Sequence, residues 1–301
     1  MSIDYYPIRR IDSSQCESIE PLGSKPKYWA KLPHDLRPWL IKITRPNTGE
    51  DWAEKIASEI AILLKIPVAY VDFALYCHSV DGEKRACASP SFVATIRGTE
   101  LVHGNELLSG HVLGYDRQKW KQNQHTVEHI INAIKATFSQ GECENALTTV
   151  AGFMFLDALI CNTDRHHENW GILRRVFKTG ETVCTVAPSF DHSSSLGREL
   201  TNEKRCELLS GKRIEKYITK GSGGIYWNEK DKEGDAPLQL IQKTYAKHPS
   251  YFKFWIQKLC SIEFSAFVDI LQRIPEERMD LTAKDFCLEL LKITSSRLKS
   301  L

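Results

Sequence analysis

Trp52, Ile56, Ile60, Leu63 and Leu64 recur at helical spacing between Asp51 and Lys65, and Ala, Glu and Lys fill most of the intervening positions. Ile66-Pro67 closes that helix, because proline has no amide hydrogen to donate. Around it, apolar and β-branched residues cluster in short runs. They predict strands at residues 28–32 and 39–43, joined by a turn that begins at Pro33, His34 and Asp35. Two more are expected at 68–76 and 91–96. The first hundred residues therefore read strand, strand, helix, strand, strand: a small, mostly antiparallel sheet with one helix.

From about residue 124 the pattern turns helical, with helices expected at 126–138 and 145–161. A hairpin follows: a strand at 171–176, a turn at Lys178, Thr179 and Gly180, and a strand at 182–187. From Pro237 onward, apolar clusters at helical period alternate with breaks at Pro249 and Pro275. Residues 218–236 hold Gly221, Ser222, Gly223 and Gly224 before a charged run, and read as an exposed mobile loop. The expected fold is α+β and two-lobed. A sheet lobe, residues 1–98, precedes a larger helical lobe, residues 99–301, with the boundary near 97–104.

Composition narrows the function classes. At 301 residues, 42% hydrophobic and 26% charged, the chain can bury a core without disulfides or metals. Forty basic residues against 38 acidic ones give a net charge of +2. That balance, with only short basic patches such as Lys204-Arg205 and Lys212-Arg213, is not the signature of a nucleic-acid binder. None of the nine cysteines forms a Cys-x-x-Cys pair, which fits a reducing, cytoplasmic setting. Residues 1–10 lack the apolar core of a signal peptide. The longest apolar stretch, residues 147–161, contains Thr148, Thr149 and Asp157 and reads as a buried helix rather than a membrane span.

The chemistry concentrates between Leu159 and Asp191. Asp164 and Asn169 stand five apart on a loop after an apolar helix and before a strand. Phosphoryl transfer needs an acceptor near the attacking hydroxyl and an oxygen ligand for magnesium, and this spacing supplies both from one turn. Asp191 follows the hairpin and can complete the metal site with Asn169. Lys42 ends an apolar strand, where it can pair with the α and β phosphates of ATP. Glu54 or Glu59 on the next helix could hold it; five apart, they face different sides. Separately, each residue has a bland reading as a surface or turn residue. His166 and His167 could bind a metal only with a third ligand. The order and topology of the set are those of protein kinases.

The run Leu159-Ile-Cys-Asn-Thr-Asp-Arg-His-His-Glu-Asn-Trp-Gly, followed by Ala187, Pro188, Ser189, Phe190 and Asp191, resembles the HipA-like serine/threonine kinases. These are similar to the phosphatidylinositol 3- and 4-kinases. The resemblance implies that Asp164 is the catalytic aspartate, that Asn169 and Asp191 hold Mg2+, that Lys42 binds ATP, and that Glu54 is the helix glutamate. Gly23, Ser24, Lys25, Pro26 and Lys27 resemble the family's phosphate-covering loop, although one glycine is fewer than a G-x-G-x-x-G motif has. Ser24 is its candidate autophosphorylation site, with Lys25, Lys27 and Arg45 near in sequence to grip the phosphate. Phe92, Val93 and His166 complete the expected nucleotide-binding set. The HipA N-terminal subdomain has no counterpart ahead of the core, which reads as a compact variant. A protein substrate is implied, with a translation factor or tRNA synthetase as one option, and so is an antitoxin partner of a growth-arresting toxin. A small-molecule or lipid head-group kinase, or a pseudokinase that only binds ATP, are the alternatives.

Overall fold

The computed structural model describes residues 3–21, 25–94 and 98–301. The N-terminal lobe is a sheet of β1 (Ile8–Asp12), β2 (Cys16–Ile19), β3 (Lys27–Lys31), β4 (Pro38–Ile43), β5 (Asp72–His78) and β6 (Gly82–Pro90), in the order β1-β5-β6-β4-β3-β2. β1 runs parallel to β5 and the other neighbours are antiparallel. Along β4, Trp39, Ile41 and Ile43 are buried with Ile11, Ala74 and Ala86 on one face of the sheet. A period of two sends Lys42 to the other face. There it lies in register with Cys87, which in turn pairs with Phe73. That face carries helix α1 (Glu50–Leu64), whose Trp52, Ile56 and Ile60 pack with Phe73. Lys65, left-handed at φ 61°, and then Pro67 end the helix.

The C-terminal lobe is largely helical. Its helices are α2 (Gly104–Ser109), α3 (Val127–Thr137), α4 (Gln140–Ile160), α5 (Asn202–Ser210), α6 (Ile214–Lys220), α7 (Pro237–Lys247), α8 (Lys253–Cys260), α9 (Ser265–Gln272) and α10 (Leu281–Lys299). A three-stranded sheet of β7 (Thr99–His103), β8 (Gly171–Val176) and β9 (Thr182–Val186) completes it. α4 is long and apolar enough to cross a membrane by length and composition. Its most apolar window is 78% buried inside the lobe, so it is the core helix.

Three expectations are corrected. Residues 91–94 lie outside any strand: the last of the four expected strands corresponds to β6, which ends at Pro90. The strand expected from 68 begins at Asp72, and Val68 instead bridges to Ser189 of the other lobe. Residues 218–236 are partly packed rather than exposed throughout: Ser222, residues 228–230, Lys232 and Glu233 reach solvent, while much of the remainder is held against the lobe. Ile218, Ile225 and Tyr226 are buried, and the Tyr226 amide donates to His125 O at 3.0 Å. A Cβ on Gly224 would stand 2.7 Å from the backbone of both Arg165 and His166. The glycines there permit close backbone approach, which sequence alone does not separate from flexibility.

Candidate active site

Residues 161–169 leave α4 through Cys161, left-handed at φ 54°, and turn beneath the sheet lobe. Arg165 is the hub of this loop. It is buried and makes a two-pronged ion pair with Asp157 of α4, at 2.8 Å from both Nε and Nη2. Its other bonds reach Asn169 O at 2.6 Å and Ser189 Oγ at 3.0 Å. One guanidinium thus ties the helix, the loop and the segment that carries Asp191. Asn162 adds a bond from Nδ2 to Asp157 at 2.8 Å. The sequence signal for this hub is a lone carboxylate, Asp157, in an apolar helix, since a buried charge requires a partner.

The loop presents Asp164 to the interlobe cavity. Asn169 Nδ2 donates to Asp164 O at 2.7 Å, which commits the amide's NH2 end and leaves Oδ1 for a cation. Burial and the nearby Asp191 push the Asp164 carboxyl above its ordinary value, against the opposing pull of His166. Asp191 adopts a left-handed backbone, φ 59°, a conformation that concentrates at functional sites.

Lys42 Nζ lies 3.1 Å from Asp191 Oδ1 and 3.7 Å from Glu54 Oε2. Burial works against the Lys42 charge, but these two carboxylates outweigh it and raise its pKa. Burial likewise opposes the Asp191 charge, and Lys42, Lys27 and Lys25 overcome it, so Asp191 stays ionised. Glu54, rather than Glu59, is the helix carboxylate beside Lys42. Glu59 is held by Lys55 at 2.6 Å. Glu54 Oε1 also accepts from the His192 amide at 3.1 Å, while its Oε2 is buried without a hydrogen bond. Lys27 approaches Asp191 at 3.8 Å, and Lys25 pairs with Glu50 at 3.0 Å.

These groups line one cavity of about 1540 Å³ between the lobes, together with Phe92, Val93 and His166. Leu40, Ala69, Val71 and Leu101 give it an apolar wall suited to a flat ring, and Phe92 stacks on Phe190 at 5.8 Å. Trp120, which also lines the cavity, packs against His166 at 5.1 Å. The structure brings together Lys25, Lys27, Lys42, Glu54, Asp164, His166, Asn169 and Asp191. Gly23 and Ser24 lie outside the described residues. His167 turns away from the cavity, its Nδ1 within 2.8 Å of Tyr115 Oη, so the two histidines do not form a metal pair. Sequence reasoning missed Arg165, Ser194 and Arg198, which also border the site or hold it.

A family model described as EF hand associated matches residues 121–203, which here form α3, α4, the loop and the β8–β9 hairpin. No curated protein matches the chain. The structure is similar to the crystal structure of a Helicobacter pylori proinflammatory kinase, CtkA, with a TM-score of 0.71 and 20% identity over 97% of this chain and 96% of that one. A likeness at that identity speaks for architecture: this chain has the α+β, two-lobed kinase-like fold, with a sheet lobe first and a larger helical lobe after it.

Proposed function

We propose that the protein is an ATP- and magnesium-dependent kinase of the HipA-like kind that phosphorylates Ser/Thr hydroxyls of a protein. The observation that carries this reading is the convergence, in one cavity, of Asp164 and Asn169 from the loop after α4, Asp191 after β9, Lys42 from β4 and Glu54 from α1. The donor set fits magnesium. Asp191 and Asn169 offer hard oxygen ligands, and among the described residues no three His, Cys, Asp or Glu side chains cluster as a complete metal cage. Magnesium takes few protein ligands and completes its shell with phosphates and water. Bound there, it would supply charge neutralisation on the phosphates.

Asp164 accepts the proton of the attacking hydroxyl, and its raised pKa makes it a better acceptor than an ordinary carboxylate. Lys42 meets phosphate oxygens and Glu54 holds it in place. Lys25 and Lys27 extend the positive lining toward the phosphates. Most of the rate enhancement then comes from positioning and fixed charge.

Magnesium-dependent thermal stabilisation by ATP, followed by a phosphotransfer assay, tests the reading. Asp164→Asn keeps the loop's backbone contacts and deletes the acceptor, so it should abolish transfer while the fold survives. Near-wild-type turnover in that variant would remove Asp164 from the mechanism. Binding without transfer in the wild type would instead make the chain an ATP-binding module. Phosphoproteomics of cells expressing wild type against Asp164→Asn would name the substrate. A translation factor or tRNA synthetase, growth arrest, an antitoxin partner and a cytoplasmic location are the outcomes this family reading expects.

A further inference from the structure

Ser194 presents its hydroxyl to Asp164, donating from Oγ to Oδ2 at 3.3 Å. Ser194 Oγ in turn accepts from Arg198 Nη2 at 3.3 Å. The side chain is half-buried and borders the interlobe cavity, three residues beyond Asp191. A serine hydroxyl of the chain itself therefore stands where a substrate hydroxyl must stand to lose its proton to Asp164. The flanking serines are committed elsewhere. Ser193 Oγ accepts from Lys25 at 3.1 Å, and the buried Ser195 donates to His192 O at 2.8 Å. The backbone holds Ser194 in place, since its carbonyl accepts from the Thr163 amide at 3.2 Å and the Leu196 amide donates to Ile160 O at 2.9 Å.

We propose that Ser194 is a phosphoacceptor in cis, an internal substrate of the same cavity. The proposal rests on the kinase reading and assigns one site to that activity. The Ser194 Oγ proton passes to Asp164 Oδ2, and Oγ forms a bond to the terminal phosphorus of a bound nucleoside triphosphate. The bond from that phosphorus to the bridging oxygen breaks, and its electron pair leaves with the nucleoside diphosphate. A hydroxyl already in hydrogen-bond reach of its base reacts as if at very high concentration. In the product, Arg198, already bonded to Ser194 Oγ, pairs with the phosphate, and Lys25 stands at the neighbouring Ser193. The phosphate adds about −1.5 to −2 charges beside Asp164 and Asp191. It fills the acceptor's place, so the modified protein is closed to an outside hydroxyl.

The test follows the full-length protein with magnesium and ATP by intact mass and peptide mapping, over a wide range of protein concentrations. The expected result is one phosphate on Ser194, formed with a rate constant independent of protein concentration and absent in Asp164→Asn. Ser194→Thr should carry the phosphate on threonine, and Ser194→Ala should lose it. Transfer to Ser24 or to an added peptide, with Ser194 unmodified, would overturn the proposal and leave the kinase reading standing. A rate that climbs with protein concentration would overturn the cis geometry. If no phosphate is transferred to any acceptor and no ADP forms, both readings fail together.

Discussion

Lys42 is shared between two carboxylates, Asp191 at 3.1 Å and Glu54 at 3.7 Å, and its loss would leave both in a poorly solvated site. Judged from sequence alone, Lys42→Met should keep packing and stability while deleting a charge. The geometry argues otherwise. Breaking a buried pair from one side costs roughly 3–5 kcal/mol, because the remaining charge is uncompensated. The prediction is that Lys42→Met loses transfer and also lowers denaturant stability, while Lys42→Met with Glu54→Gln regains much of the stability and none of the transfer. Equal stability in the single and double variants would mean that Glu54 is not a buried claimant on Lys42. Asp191→Ala acts on the same cluster with the opposite sign. It deletes the proposed magnesium ligand and frees Lys42 and Lys27 to meet phosphate directly. Calorimetry should show magnesium-dependent ATP binding falling while metal-free ATP binding holds or tightens. Equal losses in both would make Asp191 structural.

The elements differ in how openly they announce themselves. α1, α3 and α4 follow from periodicity, because each buries one face or lies largely within the core, and the β8–β9 hairpin follows from its β-branched runs around the turn at Lys178, Thr179 and Gly180. β2 has no buried residue, and β6 begins with three exposed ones, so neither carries an alternating pattern to read. β1 is short and buries only Ile11. The convergence of Asp164, Asn169 and Asp191 on one cavity was legible because their spacing and order match a pattern read for phosphoryl transfer. Arg165 was not, because its partners lie on α4 and on the segment after β9, which only folding brings together. The glycine part of the 218–236 segment was misread because glycine serves close packing and flexibility alike, whereas the charged run after it is exposed as its composition suggests. Gly224→Ala separates the two. Its Cβ meets Arg165 and His166 backbone at 2.7 Å, so the loop must shift. Overpacking typically costs about 1–3 kcal/mol, and a displacement near 1 Å at a catalytic group can cost about a hundredfold in rate. A melting temperature and turnover number both near wild type would show the segment to be loose after all.

Across the whole molecule, burial keeps imidazoles neutral at His125, His167 and His192, and His125 is the one whose hydrogen bonds tie together separate parts of the helical lobe. His125 is 1% exposed and joins three regions. Its Nδ1 donates to Gly224 O at 2.8 Å, its Nε2 accepts from Trp170 Nε1 at 3.0 Å, and its carbonyl accepts from the Tyr226 amide. Nε2 can accept only while it carries no proton, so this network fixes the neutral tautomer. Burial, outweighing the bond to Gly224 and helped by the neighbouring His167, His166 and Arg165, lowers its pKa from 6.5 to about 3. The unfolded chain takes up a proton near 6.5, and the folded one does not until about 3. The folded state binds fewer protons in that window, so the stability that neutral His125 contributes is present above pH 6.5 and lost as pH falls toward 3. The slope is about 1.4 kcal/mol per pH unit. His125→Asn keeps a donor for Gly224 and removes the titration. It should be less stable than wild type at neutral pH, and the gap should close as the solution is acidified. Comparing the two proteins cancels the carboxylates, which titrate in both. Urea unfolding of each at stepped pH measures the gap, and a gap that stays constant from pH 7 down to 4 would mean that His125 takes up its proton in the fold as readily as in the unfolded chain and is not a group that makes the lobe acid-sensitive.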